Sequence, residues 1–206
     1  MAEPGRIKTA TIGTARSSKA NTEAGLSRAQ RETLERVEGS ARSMRNEQLT
    51  AIDRNGNIII QQGGNRSSVS LSESEARRLK DSVLTHNHPG AYYDSLPNRG
   101  GLAGRIGSPL SAQDVITSVK RDVREIRAIT RGGYLYSLKR PSGGWGVSAR
   151  TVAQEMRQYQ FEGISKYVAS DSSDGARLNI VVQHDAIRRI ARKYGWIYTR
   201  RRVSRT

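Results

Sequence analysis

The first clear pattern in the chain is helical. Leu34, Val37 and Ala41 fall at spacings of three and four after Ser27-Arg-Ala-Gln30, which has the form of a capping box, and together they predict a helix over about 27–45 with a thin apolar stripe. Leu49-Thr-Ala-Ile-Asp53 and Ile58-Ile-Ile60 then flank Arg54-Asn-Gly-Asn57. Asn-Gly accepts positive φ at both turn positions, so these two runs predict an antiparallel hairpin. Val69 and Leu71 suggest a further short strand, Ser72-Glu-Ser-Glu75 caps a helix reaching about Lys80, and Ser82-Val-Leu-Thr85 reads as a buried strand ending at His86. Ser111-Ala-Gln-Asp114 opens another helix carrying Val115, Ile116 and Val119. Strands at Glu125-Ile-Arg-Ala-Ile-Thr130 and from Tyr134 to Leu138 follow, joined by a tight turn at Arg131-Gly-Gly133. Val152, Met156, Tyr159, Ile164, Tyr167 and Val168 recur at helical spacing, Asp171-Ser-Ser-Asp-Gly175 interrupts them, and a last helix is expected from about His184 to Tyr194.

These elements predict an α/β (α+β) fold with a mixed, mainly antiparallel sheet flanked by helices at 47–140. Residues 1–26 have neither period and read as a flexible tail, and 27–46 hold the first helix. Lys139-Arg-Pro-Ser-Gly-Gly144 has the composition of a linker, setting off a helical extension at 141–199 and a basic tail at 200–206. From Pro89 to Pro109 the chain has Gly, Pro, Asn and Tyr without period, a long loop of the kind that more often serves function than mere connection.

Composition narrows the chemistry. The 206 residues contain no cysteine, which excludes disulfide frameworks, thiolate zinc sites and cysteine nucleophiles, so any metal must be held by His, Asp or Glu. Mean hydropathy of −0.67 and an apolar fraction of 35% imply a modest core with polar extensions. No run approaches the length of a membrane span, and Met1-Ala-Glu-Pro-Gly-Arg6 lacks the apolar segment of a signal peptide. The expected setting is the cytosol, or a virion assembled there, with no membrane partner. Charge adds a partner class: 35 Lys and Arg against 19 Asp and Glu give +16, which favours polyanions. Arg188, Arg189, Arg192, Lys193, Arg200, Arg201, Arg202 and Arg205 lie in a stretch with no acid after Asp185, and point to DNA or RNA phosphates. Tyr194-Gly-Trp-Ile-Tyr198 within that stretch reads as a hydrophobic latch for the last helix in preference to a base-stacking platform.

The candidate chemistry sits at His86-Asn-His-Pro89. Positions two apart in a strand share a face, so His86 and His88 can converge on one ion. A catalytic zinc commonly takes three protein ligands and leaves one position for water. Asp114, one turn into the next helix, is the candidate third ligand, although a carboxylate at that position is also favoured by the helix dipole alone. Two histidines can likewise be ordinary hydrogen-bonding residues. The third histidine, His184, reads as a helix-start residue.

His86-Asn-His-Pro89 followed by Ser111-Ala-Gln-Asp114 resembles the His-x-His-Pro … Ser-x-x-Asp signature of the JAB/MPN (JAMM) metalloprotease superfamily, in the spelling of its RadC-like branch. Glu47-Gln-Leu-Thr-Ala-Ile-Asp53 resembles the segment that supplies the superfamily's acid/base glutamate, and Glu125–Thr130 the strand after its metal helix. The 25 residues between His88 and Asp114 exceed the family spacing and imply an insertion. The resemblance implies a JAB/MPN-like domain, Zn2+ held by His86, His88 and Asp114, Glu47 as acid/base, and Ser111 helping to hold the water or the developing oxyanion. Glu38, Glu73 and Glu75 lie in helical contexts and suit the acid/base role less well. The implied activity is zinc-dependent hydrolysis of peptide or isopeptide bonds in a protein or peptide substrate. A second resemblance, of layout, links the motif and the tail ending Ala191-Arg-Lys-Tyr-Gly195 to C-terminal regions of bacteriophage minor head or head-morphogenesis proteins. It implies phage head proteins as partners and offers the alternative of a non-enzymatic virion protein with a JAB-like scaffold and a polyanion-binding arm.

Overall fold

The computed structural model describes residues 25–89, 107–168 and 175–203. Six strands form one sheet: β1 (Gln48–Ile52), β2 (Ile58–Gly63), β3 (Val83–His88), β4 (Glu125–Thr130), β5 (Tyr134–Lys139) and β6 (Ile197–Arg202), in the order β2-β1-β3-β4-β5-β6. Neighbours are antiparallel except for β3 and β4, which run parallel. The helices are α1 (Arg28–Ala41), α2 (Glu73–Arg77), α3 (Ala112–Lys120), α4 (Ala149–Val168) and α5 (Gly175–Tyr194). The mixed, mainly antiparallel sheet flanked by helices matches the expected fold class. No helix among the described residues is long and apolar enough to cross a membrane.

Local signals explain most boundaries. Ser27, Ser72 and Ser111 each accept from the backbone N–H three residues on, closing full capping boxes at α1, α2 and α3. In the β1–β2 turn, Asp53 Oδ1 accepts from Asn55 N and Asn57 N, both at 2.8 Å, and Gly56 takes φ +88°. A Cβ at Gly56 would stand 2.7 Å from the Ala29 carbonyl carbon, so this turn admits glycine for space as well as for φ.

Strand alternation then divides the sheet into two faces. Leu84, Ile126, Ala128, Tyr136 and Leu138 join Val115 of α3, Val152 and Met156 of α4, and Ile187 and Ile190 of α5 in the main core. Leu26, Leu34 and Val37 cover Ile52 and Val83 on the opposite face. That second face also buries charge. Arg127, 2% exposed, donates from Nε to Glu38 Oε1 (2.6 Å) and from an Nη to Glu125 Oε1 (3.0 Å), while Thr85 donates to Glu38 and Ser137 to Glu125. The thin apolar stripe of α1 is thereby explained: one of its inward positions, Glu38, seats on an arginine. Removing one partner leaves a buried charge undercompensated. Glu38→Ala is expected to cost about 3 kcal/mol in urea unfolding.

Several expected boundaries are corrected. Leu26 is 6% exposed in the second core, so the N-terminal tail cannot run through it; residues 1–24 lie outside the described residues. The segments at 27–46 and 141–199 are integral parts of the fold, since α1 covers one face of the sheet and α4 and α5 the other. The expected linker is a turn, with Gly144 N donating to Pro141 O and Trp145 Nε1 returning to Val123 O. Val69 to Leu71 form no strand, because Asn65 takes the chain through a turn: its Oδ1 accepts from Ser67 N and Ser68 N. The last helix begins at Gly175, and His184 lies in its middle. Arg200, Arg201 and Arg202 lie in β6, paired with Tyr136, Leu135 and Tyr134 of β5, so the basic tail expected from residue 200 is an edge strand as far as Arg202. The aromatic latch is present with a strand built into it. Trp196 Nε1 donates to Trp145 O, the two indoles meet edge-on, and Ile197 and Tyr198 begin β6.

Candidate metal centre

β3 runs two residues beyond the expected end, which places both histidines on the strand. Alternation carries Leu84 into the main core and aims His86 and His88 to the same side as it, at the carboxyl end of β3. α3 begins beside them. Asp114 stands at its N3 position and accepts from Ser111 N at 2.6 Å, while Asp114 N donates to Ser111 Oγ at 3.1 Å. The same Oδ2 lies 3.4 Å from His86 Nε2 and 4.0 Å from His88 Nε2, and the two imidazole Nε2 atoms are 2.9 Å apart. Asp114 therefore caps its helix and faces the histidines at once. A tetrahedral ion with bonds of about 2.0–2.1 Å sets neighbouring donors about 3.3 Å apart, and the observed separations bracket that value. These three residues form the one His/Asp/Glu group among the described residues whose donor atoms converge as metal ligands do.

The group lies in a cleft of about 490 Å³ that Glu47 and Ser111 also line. The four side chains and the glutamate singled out from the sequence are thus brought to one place. Two further walls were not foreseen: the turn at Arg66–Val69, and Asn179, Ile180 and Gln183 of α5. Gln183 Nε2 donates to Leu110 O at 3.2 Å, which fastens α5 beside the start of α3. The Asn65 turn chemistry was the available signal for the first wall. No local signal marked the second, because its place depends on packing between distant segments.

Each side chain perturbs the others. Burial pushes the Glu47 carboxyl up, a shift the nearby His86 reduces and Asp114 reinforces. Burial pulls His86 down, yet the charge and hydrogen bond of Asp114, with the charge of Glu47, outweigh it and leave His86 above its ordinary value. His86 Nδ1 has no hydrogen bond of normal geometry, and the Arg127 backbone adds only a small upward pull. Burial, reinforced by the charge on His86, depresses His88 to about 4. Burial also pushes Asp114 up, but His86, His88 and the Ser111 N–H hold it well below the usual carboxylate range. His88 Nδ1 donates to Ser108 O at 3.0 Å, which fixes the tautomer and leaves Nε2 with a lone pair directed at His86.

The His86 proton, held to higher pH than on an ordinary imidazole, is therefore the competitor that a metal must displace. The sign follows from the direction of the shift: His86 is raised, so its proton persists above the ordinary imidazole value, whereas His88 and Asp114 have already lost theirs. Metal affinity is expected to fall about tenfold per pH unit below the His86 pKa, where one proton is released per ion, and to flatten above it, where none is. Calorimetric titration in buffers of different ionisation enthalpy, from pH 6 to 8, measures that proton count.

The remaining expected site residues scatter. Arg188 pairs with Asp185, Arg189 with Glu162 and over the Tyr159 ring, and Lys193 with Glu155. The acids missing from their own stretch of sequence come from α4 and from the preceding turn of α5. Arg200 lies over the Tyr134 ring, Arg201 is half-buried, Arg192 and Arg202 are exposed, and Arg205 falls outside the described residues. The expected loop at Pro89–Pro109 also falls largely outside them, with its Tyr92 and Tyr93. His184 is no ligand: its Nδ1 meets Tyr198 Oη at 2.9 Å, and burial lowers it to about 4. No family model, curated protein or solved structure matches this chain, so the case for the site rests on the converging donors themselves.

Proposed function

We propose that the protein is a zinc-dependent hydrolase of the JAB/MPN type that cuts peptide or isopeptide bonds with an activated water. The observation that carries this reading is the convergence of His86 Nε2, His88 Nε2 and Asp114 Oδ2 in a cleft lined by Glu47. Two imidazoles and one carboxylate are a donor set of catalytic zinc, whereas Mg2+ and Ca2+ prefer oxygen throughout. When bound, zinc supplies Lewis-acid polarisation of the scissile carbonyl and a water acidic enough to ionise near neutral pH.

The chain's own residues supply the rest. Glu47 takes a proton from the attacking water as the C–O bond forms, holds it on its carboxyl, and delivers it to the amine nitrogen as the C–N bond breaks. One water enters, and one acid and one amine leave. The burial that raises the Glu47 pKa moves it toward the range such a shuttle needs. Ser111 Oγ accepts from Asp114 N, and its hydroxyl proton can be donated to the oxygen on which charge develops. The Ser108 carbonyl holds the His88 ring in the tautomer that presents Nε2.

The test is digestion of a mixed library of peptides and isopeptide-linked lysines, read by mass spectrometry. New termini are expected in proportion to zinc content, vanishing with a chelator and returning with Zn2+. A fully zinc-loaded protein that cuts neither bond type would leave the non-enzymatic scaffold reading in its place.

A further inference from the structure

We propose that Asn87, the residue between the two candidate ligands, positions the Glu47 carboxylate by clamping both peptide units that flank it; this rests on the hydrolase reading. The β1–β3 ladder ends at Leu49↔His86. At the next step the Asn87 carboxamide, on a residue only 1% exposed, stands in for a peptide group: its Oδ1 accepts from Gln48 N at 2.6 Å, and its Nδ2 donates to Asn46 O at 3.1 Å. On the other flank Glu47 N donates to Asn65 O at 2.7 Å and Gly64 N donates to Glu47 O at 2.8 Å.

Those four bonds involve every polar group of the two peptide units that meet at the Glu47 Cα. The backbone from which the carboxylate projects cannot rotate without breaking one of them. The pattern also demands an amide. Gln48 offers a donor and Asn46 an acceptor, so the side chain between them must carry one of each at the ends of a short planar fork. Strand alternation sends the side chains before and after Asn87 into the cleft, while Asn87 turns to the backbone at the start of β1 and just before it. The same three residues thus present two candidate ligands and fix the segment that carries the proton shuttle. A misplacement of about 1 Å in such a group can cost about 10²-fold in rate, which gives the clamp its value.

The experiment compares Asn87→Leu, which removes both bonds, with Asn87→Thr, whose hydroxyl can accept and donate in turn. Each is made alone and in a Glu47→Gln background. Zinc content should stay at one per chain in both single variants. Asn87→Leu should lower kcat by about 10- to 100-fold, the usual range for groups that support a site from behind, with KM nearly unchanged. Asn87→Thr should fall between it and the wild type. In the Glu47→Gln background neither change should cost anything further, because the group being positioned is already gone. Independently of activity, the Gln48 amide should exchange its hydrogen at least about tenfold faster in Asn87→Leu, as a protected amide does when its acceptor is lost.

Undiminished kcat in Asn87→Leu, a full additional loss in the Glu47→Gln background, or lost zinc would each overturn the positioning role, the last by making Asn87 a support of the ligands. An unchanged Gln48 amide would overturn the clamp itself. If Asn87→Leu does not fold, Asn87→Thr carries every comparison. A zinc-loaded wild type with no hydrolysis sinks the hydrolase reading and the catalytic part of the proposal with it, while the amide measurement still decides the clamp.

Discussion

His88→Ala, purified without chelator, is expected to carry less than about a tenth of the zinc found in the wild type, which should hold one ion per chain. Of the three donors, His88 is the informative one to remove. His86 is buried deeper beside the main core, and losing it would perturb packing; Asp114 also caps α3, and losing it would weaken the helix. His88 closes β3, and outside the candidate site its ring bonds to the Ser108 carbonyl, so the sheet should survive its truncation. The same experiment has a thermodynamic readout. A ligand present at a thousandfold over its dissociation constant stabilises the folded state by about 4 kcal/mol, so zinc should raise the wild-type melting temperature and leave His88→Ala unmoved. A wild type that takes up no zinc at neutral pH would remove the metal centre and the hydrolase with it.

The other large effect is expected at Glu47. Glu47→Gln keeps the shape of the side chain and every backbone bond around it while removing the ability to take a proton, so fold and zinc content should be unchanged. Hydrolysis should fall by about 10²–10⁴-fold, the usual contribution of a general acid–base group. The burial that raises this carboxyl's pKa makes a neutral glutamine easy to accommodate, which separates lost chemistry from lost stability. Equal activity in wild type and variant would move the proton shuttle to another residue, and a loss of zinc would show that the carboxylate serves the metal.

How much of this was legible depends on how local each signal is. Glu125–Thr130 was readable to the residue because it is a short run holding Ile126, Ile129 and Thr130 that ends just before a glycine pair. The capping boxes at Ser27, Ser72 and Ser111 announced three helix starts because their chemistry is complete within four residues. β6 was not legible. Thr199-Arg-Arg-Arg202 has the composition of a solvated tail, and it becomes a strand only because β5 offers an unpaired edge more than fifty residues earlier in the sequence. The Arg189–Glu162 and Lys193–Glu155 pairs were hidden for the same reason, since neither acid lies near its partner in sequence. The candidate site divides along this line. His86, His88 and Asp114 follow from strand alternation and a helix cap, whereas the α5 wall and the Asn87 bonds to Asn46 and Gln48 exist only once the chain has folded.

The parallel step between β3 and β4 has a bearing on how such a chain can change over evolutionary time. Two parallel neighbours require a crossover, and here His88 stands where the crossover leaves the sheet and Asp114 just inside the helix by which it returns. Both anchors are held by their own local bonds, the strand ladder at one end and the Ser111 cap at the other. The number of residues between Pro89 and Gly107 can therefore change with the candidate donor atoms staying in place. By closure entropy alone each doubling of a loop's length costs about 0.6 kcal/mol, less than one buried methylene. Insertion is thermodynamically cheap at this point in the chain, so new sequence can accumulate between the strand and the helix without refolding the centre that they hold.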